Sequence, residues 1–175
     1  MPSSRRLITS TTLSSSAASV TFSSIPAIYT DLVLRCSIRT SVAGVVAVDP
    51  SMTFNSDSSS IYSNTYIQGN GASASSGRSS GASEIGFRYG ANDTGSTSNT
   101  FTSVEFYIPN YTSTSNKTFS TIIATETNAT TAYINNIAQL YRNTSAISSF
   151  TINIGAGAYN ISAGSSFFLY GLFNS

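Results

Sequence analysis

The chain has no histidine, no tryptophan and a single cysteine among its 175 residues, and only 9% of it is charged. Without histidine, and with one thiol, the usual zinc ligand sets cannot be assembled. The commonest carrier of acid–base chemistry at neutral pH is missing as well. Cys36 has no partner for a disulfide within the chain, so the fold does not depend on an oxidising compartment. In a strand, a lone cysteine reads as a small apolar core residue. Eight Lys and Arg stand against seven Asp and Glu, a formal net charge of +1. That balance gives no long-range attraction to nucleic acid or to an anionic membrane. No apolar run approaches the roughly 18 residues of a membrane-spanning helix. The opening MPSSRRLITSTTLSSSAASV has a basic pair but no continuous apolar stretch, so no secretory leader is expected. No repeat of 20–50 residues is visible, which argues against a propeller or a β-helix.

Apolar residues make up 40% of the chain, enough for one domain with a sizeable core. Serine and threonine supply about a third of it, so hydroxyls take over the solvating role of charges. A surface of this kind has few long side chains to immobilise on contact, which suits broad association with other protein.

The apolar residues come in short stretches with a period of two. In Asp31-Leu32-Val33-Leu34-Arg35-Cys36-Ser37-Ile38-Arg39-Thr40, the side chains of Leu32, Leu34, Cys36 and Ile38 share one face, and Arg35, Ser37 and Arg39 the other. That alternation marks a half-buried antiparallel strand. Strands are expected at about 17–22, 31–40, 45–54, 61–67, 84–89, 104–108, 117–125, 132–141, 147–154 and 165–173. Residues 132–141 could be read as helix, but two asparagines with Tyr and Ile favour strand. The predicted core includes Leu32, Leu34, Ile38, Val104, Phe106, Ile108, Phe150, Ile152, Phe167 and Leu169. In the last strand Phe168, Tyr170 and Leu172 form a second apolar face, so this strand should be central or covered by another subunit. Residues 1–16 are polar and aperiodic, and are expected to form an extended N-terminal arm. Gly69–Ser83 and Gly90–Asn99 are expected to be loops. The fold class that follows is all-β: an antiparallel β-sandwich of jelly-roll type with about 8–10 strands over residues 17–175.

Several motifs resemble catalytic or metal sites but lack their context. Gly77-Arg78-Ser79-Ser80-Gly81 matches the nucleophile elbow of serine hydrolases, yet no histidine is available as base and no strand directly precedes it. Asp93-Thr94-Gly95-Ser96 matches the aspartic-protease motif, but occurs once and sits in a polar loop. A turn held by Asp93 and Gly95 explains it more simply. Asn55-Ser56-Asp57 is the nearest approach to a calcium loop and lacks clustered carboxylates. Glu84, Glu105 and Glu126 are dispersed among strands and define no glycosidase pair. Asn92-Asp93-Thr94, Asn110-Tyr111-Thr112, Asn116-Lys117-Thr118 and Asn128-Ala129-Thr130 match the glycosylation sequon; without secretion they read as turns. No catalytic residue, cofactor or metal is expected.

Three phrases point further. Phe22-Ser23-Ser24-Ile25-Pro26-Ala27-Ile28-Tyr29-Thr30-Asp31-Leu32-Val33-Leu34 is followed by Phe54-Asn55-Ser56-Asp57 with Ile61-Tyr62-Ser63, and then by Ala163-Gly164-Ser165-Ser166-Phe167-Phe168-Leu169-Tyr170-Gly171-Leu172. With Tyr111 and Lys117-Thr118 between them, they resemble small virion proteins of tailed bacteriophages over most of residues 19–173. The resemblance implies a particle component and brings no catalytic residues. The leading expectation is a capsid decoration (cement) protein on the outer surface of the head, binding the major capsid protein. A homotrimer is also expected, as similar cement proteins form. In this reading Arg5 and Arg6 meet carboxylates of the capsid or a neighbouring subunit, while Leu7 and Ile8 insert or pair as an added strand. The rivals are a tail-fibre or receptor-binding module gripping host glycans, and a carbohydrate-active hydrolase on a β-sandwich.

Overall fold

A computed structural model describes residues 4–44, 47–128, 132–155 and 159–173. Residues 1–3 of the expected arm, 45–46 of the expected strand 45–54, Ala129-Thr130 of one sequon, and 174–175 lie outside the described residues. The first seven strands are β1 (Ser4–Thr12), β2 (Ser19–Phe22), β3 (Asp31–Ile38), β4 (Ala47–Val48), β5 (Pro50–Phe54), β6 (Tyr62–Gly69) and β7 (Ala74–Ala82). The remainder are β8 (Ile85–Gly86), β9 (Ala91–Asn92), β10 (Thr102–Ile108), β11 (Lys117–Thr125), β12 (Tyr133–Tyr141), β13 (Phe150–Ile154) and β14 (Ser166–Phe173).

Eight of them form one long sheet in the order β1-β14-β3-β10-β11-β12-β6-β7, and four form a second, β2-β13-β5-β8. A two-stranded piece, β4-β9, is joined to the residues after β3 by a bridge between Arg39 and Asn92. All paired strands are antiparallel. The molecule is an all-β sandwich with unequal sheets. Its strand total exceeds the eight of a simple jelly roll, and β10-β11-β12 run as a meander of sequence neighbours through the middle of the long sheet.

The period of two places the core. Leu32, Leu34, Cys36 and Ile38 from β3, Val104, Phe106 and Ile108 from β10, and Phe167 and Leu169 from β14 face inward from the long sheet. Val20 and Phe22 from β2, Met52 and Phe54 from β5, and Phe150, Ile152 and Ile154 from β13 meet them from the short one. All ten core residues expected from the pattern are buried. Phe54 is the hub: its ring lies 5.2 Å from Tyr141, 5.5 Å from Phe119 and 6.5 Å from Phe150, all edge-on, a geometry that aromatic quadrupoles favour.

Two expectations are corrected. The expected arm is not separate from the sandwich. Ser4–Thr12 is an edge strand on the chain's own β14, pairing Arg5 with Leu172 and Leu7 with Tyr170. The register slips between Leu7 and Thr9, placing a bulge at Ile8, and that extra residue breaks the alternation by which the strand would have been read. Nor is Gly69–Ser83 a loop throughout. Ala74–Ala82 is β7, paired along its length with β6. The connection is only Asn70–Ser73, held by Asn70 Oδ1 accepting from the backbone N–H of Ala72 and Ser73, with Gly71 at φ +84. Gly77 in the middle of β7 gives room for the Tyr66 ring: a methyl group there would lie 2.6 Å from the tyrosine oxygen.

Candidate protein-contact face

The outward side of the long sheet is built by strict alternation, so the strand pairings give its rows. One row runs Phe168, Arg35, Glu105, Ile122, Asn136, Ile67, Ser76 across β14, β3, β10, β11, β12, β6 and β7. A second runs Tyr170, Val33, Tyr107, Ser120, Ala138, Thr65, Arg78. A third runs Ser166, Ser37, Ser103, Ala124, Ile134, Gly69, Ala74. An antiparallel sheet with one solvated face normally carries polar residues outward. Here Ile122, Ile134 and Ile67 are exposed at 52%, 64% and 63%. They sit diagonally on three adjacent strands, with Ala124 and Ala138 beside them. A shallow cavity of about 590 Å³ lies between Ile134, Ile67, Gly69 and Ala74.

At the other end of the same face, Leu7 stands opposite Tyr170 and is exposed. Val33 is outward-facing yet buried, flanked in its row by Tyr170 and Tyr107. The Tyr107 hydroxyl donates to Asp31 Oδ2 at 2.7 Å, and Asn110 N–H donates to Oδ1 at 2.9 Å. Between the two apolar regions lies Arg35 Nε on Glu105 Oε2 at 2.6 Å, the one ion pair among the described residues. Its side chains are half exposed, so it contributes little stability. It does neutralise the middle of the face. What remains is aliphatic side chains in a field of hydroxyls, which is the chemistry of a surface that can be covered by protein at low desolvation cost.

The four residues expected to mediate attachment are separated by this geometry. Arg5 and Leu7 lie on the outward face, with the Arg5 guanidinium 5.4 Å over the Tyr170 ring. Arg6 pairs with Gly171. Ile8 packs partly against the core and lines a cavity of about 560 Å³ between β1 and β2. The isoleucines on β6, β11 and β12 carried no motif. Their signal in the sequence was a strand such as Lys117–Thr125, whose polar-looking face also carries Ile122.

The motifs that resemble chemistry lie in strands and turns. Gly77–Gly81 lies within the edge strand β7, with Gly81 at φ +67. Asp93 is buried, and its Oδ1 accepts from Gly95 N–H at 2.8 Å; Oδ2 has no partner among the described residues. Burial pushes this carboxyl above its ordinary range, against the lowering effects of the Gly95 N–H and of Arg39. Arg39 ties the same loop down by donating to the carbonyls of Ser96, Thr97 and Thr100. Asn55 and Asp57 clasp the loop that follows β12. Asn55 Nδ2 donates to Ala146 O, its Oδ1 accepts from Ser148 and Ser149 N–H, and Asp57 Oδ2 accepts from Asn143. Lys117 is buried, with Nζ donating to the carbonyls of Ser113, Asn143 and Ser145 at 2.8, 3.1 and 2.6 Å. Burial lowers its pKa. Burial raises the Cys36 thiol well above its usual value, so it is an inert core group. Among the described residues no three His, Cys, Asp or Glu side chains are grouped to hold a metal ion, and no helix is long and apolar enough to cross a membrane.

The fold and the face together define an all-β sandwich whose long sheet carries an exposed isoleucine patch on its outer side. No protein-family model, curated protein or solved structure matches the chain.

Proposed function

We propose that the protein is a non-catalytic structural component of a tailed-bacteriophage particle: a decoration (cement) protein that binds the major capsid protein on the outer surface of the head, as a homotrimer. The observation that carries this reading is the exposed Ile67–Ile122–Ile134 patch on a charge-poor sheet face. Burying such side chains against a partner is favourable at roughly 25 cal/mol per Å² of apolar surface, and the hydroxyls around them bring little side-chain entropy to lose. The three sequence phrases that resemble virion proteins of tailed bacteriophages are what point to a phage particle. They cover the connection from the end of β2 into the start of β3, the turn from Phe54 at the end of β5 into the start of β6, and most of β14, so the resemblance is not confined to one peripheral segment.

Counting copies per purified virion by quantitative mass spectrometry tests the proposal. Hundreds of copies are expected for a head protein. A few to a few tens would place it on the tail, and absence from the particle would remove the structural role.

A further inference from the structure

β6 has two working sides. Ile67 faces outward on the apolar patch, whereas Tyr66, one residue earlier, faces inward and pairs across the sheet with Ile137, which is buried. The short sheet ends at the two-residue β8, so the inward side of β6 and β7 extends beyond it. This leaves a polar slot of about 270 Å³, lined by Asp49, Asn64, Tyr66, Arg78, Ser79 and Arg88 among others.

Arg88 is held in place there. Its guanidinium lies 4.4 Å over the Tyr66 ring and 5.2 Å from that of Tyr89, and its Nε donates to Gln68 Oε1 at 2.8 Å. Tyr89 is fixed in turn by a 3.9 Å stack on Tyr133 and by its N–H donating to Asp49 Oδ1 at 2.6 Å. Tyr66 rests over Gly77, where any side chain would collide with it. The terminal Nη1 and Nη2 groups of Arg88 have no partner among the described residues, and the exposed Arg78 makes no hydrogen bond there either. Neither arginine is within ion-pair distance of Asp49. A guanidinium clamped through Nε and its planar face, with its other N–H groups free, is a preorganised fork for a carboxylate.

We propose that this slot binds a single acidic sugar unit, a pyranose carrying a carboxylate. Two arginines against one aspartate leave the slot net positive, which selects an anion. Asp49 Oδ2, the Asn64 amide and the Ser79 hydroxyl offer acceptors and donors for ring hydroxyls. At about 270 Å³ the slot falls just below the usual range of small-molecule pockets, which suits one ring and not a chain. The slot opens on the side of β6 opposite the patch, with only Arg78 reaching it from the outward row of the edge strand β7, so it stays open when Ile67, Ile122 and Ile134 are covered. The inference therefore stands whether or not the docking proposal does.

The test is a titration of the full-length protein followed by two-dimensional amide NMR, with D-galacturonic acid, D-galactose and inorganic phosphate as separate probes. Galacturonic acid should shift resonances around Tyr66, Ser79 and Arg88 at millimolar concentration. Galactose and phosphate should each bind about tenfold more weakly or worse, since each lacks one half of the recognition. Arg78→Gln, at an exposed position, should weaken galacturonic acid by about tenfold with unchanged melting temperature, and Arg88→Lys, which keeps the charge but loses the fork and the bond to Gln68, should weaken it at least as much while remaining folded. No shift with galacturonic acid would overturn the proposal. So would equal binding of galactose, equal binding of phosphate (a bare anion site), or unaltered affinity in both folded variants.

Discussion

Ser56 carries an avoidable cost. Asn55 and Ser56 both adopt left-handed backbone, at φ 52 and φ 57, and Asp57 N–H closes the turn on Phe54 O at 2.8 Å. This is the mirror-image turn that prefers Asn-Gly, and a side chain at the second position is strained. Ser56→Gly should therefore stabilise the fold by about 0.5–1 kcal/mol in chemical denaturation; a loss of stability would show that the hydroxyl does something unseen. Asp93 gives the pH-dependent counterpart. Its carboxyl is held above the ordinary range by burial. A group raised in the folded state stabilises below its unfolded range, and that contribution is lost as pH rises through its folded value. Asp93→Asn keeps an acceptor for Gly95 and removes the buried charge. It should raise stability by about 1 kcal/mol at pH 7 and leave it unchanged near pH 3, where the native carboxyl is already neutral. Thermal melts of both proteins at the two pH values check this, and an equal gain at both would refute the cause.

At the scale of elements, the sequence was most readable where one face is buried and the other is wet. Lys117–Thr125 and Tyr133–Tyr141 fall where alternation places them, and the central strands keep their expected core residues. It was least readable at the two edges of the long sheet. β1 escapes because its bulge at Ile8 interrupts the period and because both neighbours, Leu7 and Thr9, are exposed. β7 escapes because it is made of Ser, Ala and Gly with one Arg, residues that pack against little and carry no hydrophobic signal. The Asn70-Gly71 pair before it was the available clue, since that dipeptide favours a hairpin. The consequence for β1 is concrete. Deleting residues 2–14 removes the strand that covers the edge of β14 and uncovers its backbone groups. The expected result is a lower melting temperature together with concentration-dependent association in light scattering. A truncated protein as stable and as monodisperse as the whole chain would restore the view of this segment as a detachable arm.

For the whole molecule, the core was legible and the contact face was not. Burial follows from period two within each strand. The patch requires knowing which strands lie side by side. Ile67, Ile122 and Ile134 are spread over 68 positions of sequence numbering and meet only because β12 sits between β11 and β6. In each strand taken alone, one outward isoleucine is unremarkable; three on adjacent strands form a patch. The most direct measurement is the occupancy of phage heads lacking the protein after incubation with wild type or with the Ile122→Asp/Ile134→Asp double variant. Both side chains are exposed, so the variant should melt as wild type does. Wild type is expected to saturate the heads and the folded variant to lose at least about tenfold in affinity. Equal occupancy by the two proteins, or no binding by wild type, would contradict a docking role for this face.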